Sequence, residues 1–224
     1  MKDYYTTSDR ALEMLAKKAA KRISDCKARL GVLKFDEISV LRKISEMYDA
    51  MNQDNMKAFL ELAGVVFRKV RKELSDDYPE YFFMKTGKTI AEEPTKTWLN
   101  RDVLGNPNPL TKYIYEYEKD RKAEKAAEAV NAVKTREAKN AELTKHGKYW
   151  MTQTRYYADY ITDEAVKKAY KSVGVEKVKW VTAKDEKVCS ECSPLDGKVF
   201  DLDGVPTKPH LNCRCMIVPY IGKE

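Results

Sequence analysis

The feature that most constrains this chain is a cluster of metal-type donors near its end: Cys189-x-x-Cys192, Leu195-Asp196-Gly197, then His210-x-x-Cys213-x-Cys215. Four of the five cysteines and one of the two histidines stand there. Cys-x-x-Cys lets two thiolates converge on one ion from a tight turn, and Zn²⁺ takes four tetrahedral sulfur or nitrogen ligands. Five candidates, Cys189, Cys192, His210, Cys213 and Cys215, compete for those four places. Two sets satisfy the spacing: Cys189, Cys192 and His210 with one later cysteine, or all four cysteines with His210 outside. In an extended stretch Cys213 and Cys215 face the same side, which allows the second set. His-x-x-Cys is a common ligand spacing and favours the first. Four protein ligands make a closed site with no position for catalytic water, so the expected cofactor is one structural Zn²⁺.

The rest of the chain reads as helix. The charged fraction of 34% is high and the apolar fraction of 43% slightly low, which suits long, solvent-flanked helices. Leu12, Ala16, Ala19, Ile23, Cys26, Leu30 and Leu33 form a heptad-like seam on a first helix starting after a Thr7 or Ser8 cap. Cys26 lies in this seam and reads as a core residue. Asp36 is placed to cap a second helix over 37–51, and a third spans 54–75 before Asp76-Asp77-Tyr78-Pro79 breaks the pattern. Residues 1–77 thus read as an N-terminal helical bundle, and 78–109 as an irregular linker rich in aromatic residues and proline. Gly87-Lys88-Thr89 lacks the upstream glycine and preceding strand of a phosphate-binding loop.

Residues 110–174 form a long helical region. One helix is expected from Leu110 to about Lys145, with His146 as a cation at its end beside Gly147. A second stretch, Tyr149 to Ser172, carries tyrosines read as core and stops at Gly174. Residues 175–224 form the zinc-binding β-module, with strands over 178–182, 198–200 and 213–218 and a turn at Asp201–Gly204. The fold class is mainly α: a helical bundle with long helices plus a small C-terminal zinc-stapled β-module. Met1 to Arg10 is polar and no stretch approaches a membrane span, so a reducing compartment is expected, where clustered cysteines hold metal rather than disulfides. The net charge of +7 is spread along the chain and permits an anionic partner without demanding one. With His146 and His210 the only histidines, a histidine-rich catalytic site is excluded, and no enzyme activity is expected.

The order of residues adds a resemblance. Lys179-Trp180-Val181-Thr182-Ala183-Lys184-Asp185-Glu186-Lys187-Val188-Cys189-Ser190-Glu191-Cys192 runs into Leu195-Asp196-Gly197-Lys198-Val199-Phe200 and closes with Pro209-His210-Leu211-Asn212-Cys213-Arg214-Cys215. From Val178 to Val218 this resembles the C-terminal signature of the phage Mu F-like minor head proteins, the phage head morphogenesis family. The resemblance implies a virion component in few copies, in the capsid interior or portal region, assembled in the host cytoplasm. Its partners would be portal and other capsid proteins, with packaged DNA a further candidate, and no membrane or small-molecule substrate. A zinc-dependent nucleic-acid-binding module is the alternative, because Lys184, Lys187, Lys198, Lys208 and Arg214 surround the cluster. Interleaved Asp185, Glu186, Glu191, Asp196, Asp201 and Asp203 weigh against it.

Overall fold

A computed structural model describes residues 4–32, 36–79, 119–210 and 213–221. These hold helices α1 (Tyr5–Val32), α2 (Glu37–Asp77), α3 (Lys119–Asn131) and α4 (Arg136–Ser172), then strands β1 (Lys177–Val181), β2 (Val199–Asp201) and β3 (Met216–Pro219). The mainly α architecture with a small C-terminal β-module is the one expected. Most of the linker, Gly87–Thr89 within it, and the start of the expected helix at Leu110 lie outside the described residues, as do Leu33 and Leu211. Among the described residues no helix is long and apolar enough to cross a membrane.

The described residues of Met1–Leu62 and Pro107–Ala158 make one compact unit, and those of Ala63–Asn106 and Asp159–Glu224 a second. In the first unit α1 begins before Thr7, whose N–H bonds Tyr4 O at 3.2 Å, so the expected cap sits inside the helix and Ser8 is buried. The buried stripe is Leu12, Leu15, Ala19 and Cys26, flanked by half-buried Ile23 and Leu30, while Ala16 faces solvent. Cys26 is core, and burial pushes its thiol up to about 11.

Asp36 caps α2 as expected, accepting the Ser39 N–H at 2.7 Å. The two helices expected over 37–51 and 54–75 are instead one, because the polar stretch between them finds partners sideways. Asp54 takes Arg22 at 3.2 Å and Lys18 at 3.5 Å, and the buried Asn55 amide donates to Thr154 Oγ1 at 3.0 Å. On the first turns of α2 Val40 is buried, whereas Ile38 and Leu41 are exposed.

The single helix expected over 110–145 is broken. α3 ends at Asn131, and Thr135 restarts the chain as α4 by accepting the Ala138 N–H on Oγ1 at 3.1 Å. Nor does α4 stop at His146–Gly147. His146 lies mid-helix, 3.8 Å from Glu142, and burial lowers its pKa. Gly147 lets two helices approach: a Cβ there would collide with Ile23 Cδ1 on α1. The first unit's core gathers Ile44, Tyr48 and Met51 of α2 with Ala126, Ala127 and Val130 of α3 and Leu143 and Trp150 of α4.

Gly147→Ala should therefore destabilise the protein by about 1 kcal/mol, although alanine gains about that much in helix propensity over glycine. In an Ile23→Ala background the sign should reverse. Urea unfolding of the two pairs checks this, and a stabilising Gly147→Ala in the wild-type background would contradict the packing.

In the second unit, buried Phe67, Val70 and Leu74 of α2 belong with Ile161, Ala165, Ala169 and Tyr170 of α4, and Arg71 Nη1 donates to Ser172 Oγ at 2.9 Å. α4 stops where expected. Gly174 takes φ +76°, its N–H bonds Lys171 O at 3.1 Å, and the Val175 N–H reaches back to Tyr170 O at 3.0 Å. Tyr157, in the first unit, and Tyr170 are buried, in keeping with the core reading, while Tyr149 is exposed.

The sheet order is β2-β1-β3, both pairings antiparallel, with Val178 opposite Phe200 and Trp180 opposite Ile217. Val178 and Trp180 point inward from β1. Tyr170 Oη donates to Ile217 O at 3.2 Å and so ties β3 to α4. The third strand starts at Met216, later than expected, so Cys213–Cys215 lies in the irregular stretch before it.

Candidate metal centre

The site is built by the turns that join the strands. Where β1 ends, Thr182 gives its N–H (2.8 Å) and hydroxyl (3.0 Å) to Asp196 Oδ1, and Gly197 N–H returns to Trp180 O at 2.8 Å. Gly197 adopts φ +75°, which favours glycine. Leu195-Asp196-Gly197 is thus the strap that closes the loop carrying Cys189 and Cys192 onto the sheet. Within that loop the Cys192 N–H points at Cys189 Sγ (3.3 Å) and the Ser193 N–H bonds Cys189 O (3.0 Å), holding both sulfurs on one side.

The five candidates fall into two triads that meet at Cys192. Cys189, Cys192 and His210 form one group of mutually close donors, and Cys192, Cys213 and Cys215 a second, with ligand atoms within 4.8 Å of one another in each. His210 Nε2 lies 3.0 Å from Cys189 Sγ and 3.5 Å from Cys192 Sγ, which is itself 3.5 Å from Cys213 Sγ. Ligands about 2.3 Å from a tetrahedral ion stand roughly 3.5–3.8 Å apart, so two of these spacings fall in that range and the third is somewhat shorter. Cys192 is the member common to both groups. Burial is graded: Cys192, Cys213 and Cys215 are buried, Cys189 half-buried and His210 exposed.

The electrostatics fit a cation. Burial, then the neighbouring thiols Cys189, Cys213 and Cys215, push the Cys192 thiol up, and burial also raises Cys213. Burial opposes ionisation of Cys189 too, but N–H groups of Cys192 and Glu191 and the His210 ring outweigh it and hold that thiol low. Several thiolates cannot share so small a volume without a positive charge among them. A soft or borderline metal ion would supply it, and the donor set of thiols plus imidazole is the kind such ions take. His146 plays no part in this cluster.

Two of the basic residues around the cluster are paired with carboxylates. Arg214, between Cys213 and Cys215, makes a two-pronged bond to Asp185, each prong 2.6 Å, and so clamps the later cysteines to the loop before Cys189. That pairing holds the Asp185 carboxyl below its usual range. Lys208, two residues before His210, pairs with Asp163 of α4 at 3.1 Å. Neither pairing has a local signal, since the partners are far apart in the chain.

Together these elements define a helical protein ending in a small antiparallel sheet whose turns gather a Cys/His cluster able to hold a metal ion. Residues 111–218 match the family described as Phage Mu protein F like protein. The match takes in α3, α4 and the five donors, just under half of the 224 residues. No curated protein and no solved structure matches the chain.

Proposed function

We propose that this chain is a phage minor head protein. It acts in head morphogenesis at the portal, without enzymatic activity, and one structural Zn²⁺ closes its C-terminal module. The observation that carries this reading is the family match over 111–218, whose ends bracket α3, α4 and the Cys/His cluster. A closed shell of protein ligands supports a structural role for the ion, since catalytic zinc keeps a position for water. Its partners are portal and other capsid proteins, and its place is the virion, in the capsid interior or portal region.

The alternative, a zinc-dependent nucleic-acid-binding module, has less support. Arg214 and Lys208, two of the cations around the cluster, are tied to Asp185 and Asp163, and Lys171 bonds Asp203 at 3.0 Å. Cations spent on carboxylates release few counterions from DNA. Co-expression of the full chain with the portal protein of its phage should yield a complex that survives size-exclusion chromatography. A chain that associates with no capsid or portal component, yet shifts duplex DNA in a salt-dependent way, would replace the head-protein reading with the alternative.

A further inference from the structure

The cluster offers five donors, and a tetrahedral ion uses four. Resting on the zinc reading above, we infer that Cys189, Cys192 and Cys213 are fixed ligands, that His210 fills the fourth position, and that Cys215 is a built-in spare able to replace His210.

Cys192 bridges the two groups of donors, 3.5 Å from both His210 Nε2 and Cys213 Sγ, so an ion beside it is reached from both sides. Backbone N–H groups prepare two more sulfurs: that of Cys192 bonds Cys189 Sγ, and that of Cys215 bonds Cys213 Sγ. His210 is the nearer claimant to the fourth place, 3.0 Å from Cys189 Sγ. Cys215 Sγ lies within 4.8 Å of those of Cys192 and Cys213 and is buried with them.

The two claimants are held by separate anchors. His210 follows Lys208, which is pinned to Asp163 on α4. Cys215 leads into β3, is adjacent to Arg214 and its bond to Asp185, and is backed by the pairing of Met216 with Val181. Removing the imidazole therefore leaves the spare thiol in place. It also leaves the other three ligands on unchanged backbone. An exposed ligand backed by a buried substitute keeps the module closed when the exposed one is displaced.

The test uses the full chain purified with zinc and, separately, loaded with Co²⁺, whose visible bands and thiolate charge-transfer intensity report the number of sulfurs bound. Wild type and Cys215→Ser should both show three sulfurs and one nitrogen. His210→Ala should keep one equivalent of metal, with affinity lowered by less than about tenfold, and shift to a four-sulfur spectrum. The double variant should lose affinity by more than about 100-fold. Loss of metal from His210→Ala alone, or from Cys215→Ser alone, would overturn the spare-ligand assignment while leaving the zinc reading intact. A wild-type protein that binds no metal would sink the zinc reading itself. Far-ultraviolet circular dichroism on each variant separates loss of a ligand from loss of the fold.

Discussion

Cys192→Ser should abolish metal binding and unfold the C-terminal module while leaving the first unit's helices folded. Cys192 is 1% exposed and belongs to both groups of donors, so no other residue can take its place. The module's own apolar core is small: Val178, Trp180, Leu202, Val205, Met216 and Ile217 carry most of it. A segment of this size does not build enough buried surface to stand alone. Structural zinc contributes about 10–16 kcal/mol in comparable small sites, and that free energy is folding free energy. Metal analysis should find about one zinc per wild-type chain and none in the variant. Limited proteolysis should cut the variant between Lys177 and Tyr220 while α1 and α3 persist. A strong chelator should reproduce the variant's pattern in the wild type. Undiminished zinc content in Cys192→Ser, or a module that resists protease without metal, would refute a structural metal site at Cys192.

What was legible in the sequence was local. The Cys-x-x-Cys turn, the Gly174 stop and the Asp36 cap are each satisfied by bonds within a few residues, and all three stand where their chemistry predicts. What was misread depends on distant partners. Asn52-Gln53-Asp54-Asn55 has the composition of a break, yet α2 runs through it because Lys18, Arg22 and Thr154 satisfy two of these side chains from other helices. Gly147 has the look of a helix end, but its reason is Ile23 on α1.

The interruption between α3 and α4 is a different kind of miss. Ala132-Val133-Lys134-Thr135 contains neither glycine nor proline, and average propensity carries a helix straight across it. The signal was present in Thr135 followed by Glu137, a cap and an acidic first turn. At the Cys/His cluster the sequence supplied all five donors and a preference for the set that includes His210. Their grouping about Cys192 and the pairings of Arg214 and Lys208 arise only when the loops fold back on the sheet and α4.

Trp150 allows a separate test of how the first unit is held together. Its ring packs edge-on against Tyr48, centroids 5.3 Å apart at 77°, and both are buried in the core cluster. Trp150→Ala should cost about 3–5 kcal/mol, because the large cavity cannot collapse between α2 and α3. Trp150→Phe should cost far less than its loss of volume suggests. Among the described residues the buried indole Nε1 has no hydrogen-bond partner, nor do the Tyr48 hydroxyl and Asn52 Oδ1 one turn further along α2. A buried donor left unsatisfied costs about 1–3 kcal/mol, and phenylalanine removes that donor while retaining an aromatic ring against Tyr48. Tyr48→Phe should be neutral or stabilising for the same reason. Denaturant unfolding followed by far-ultraviolet circular dichroism measures all three. If Trp150→Phe and Tyr48→Phe each lose as much as Trp150→Ala, these polar atoms are bonded in solution and the core is held by a hydrogen-bonded network. If the losses separate as expected, shape and apolar contact hold it.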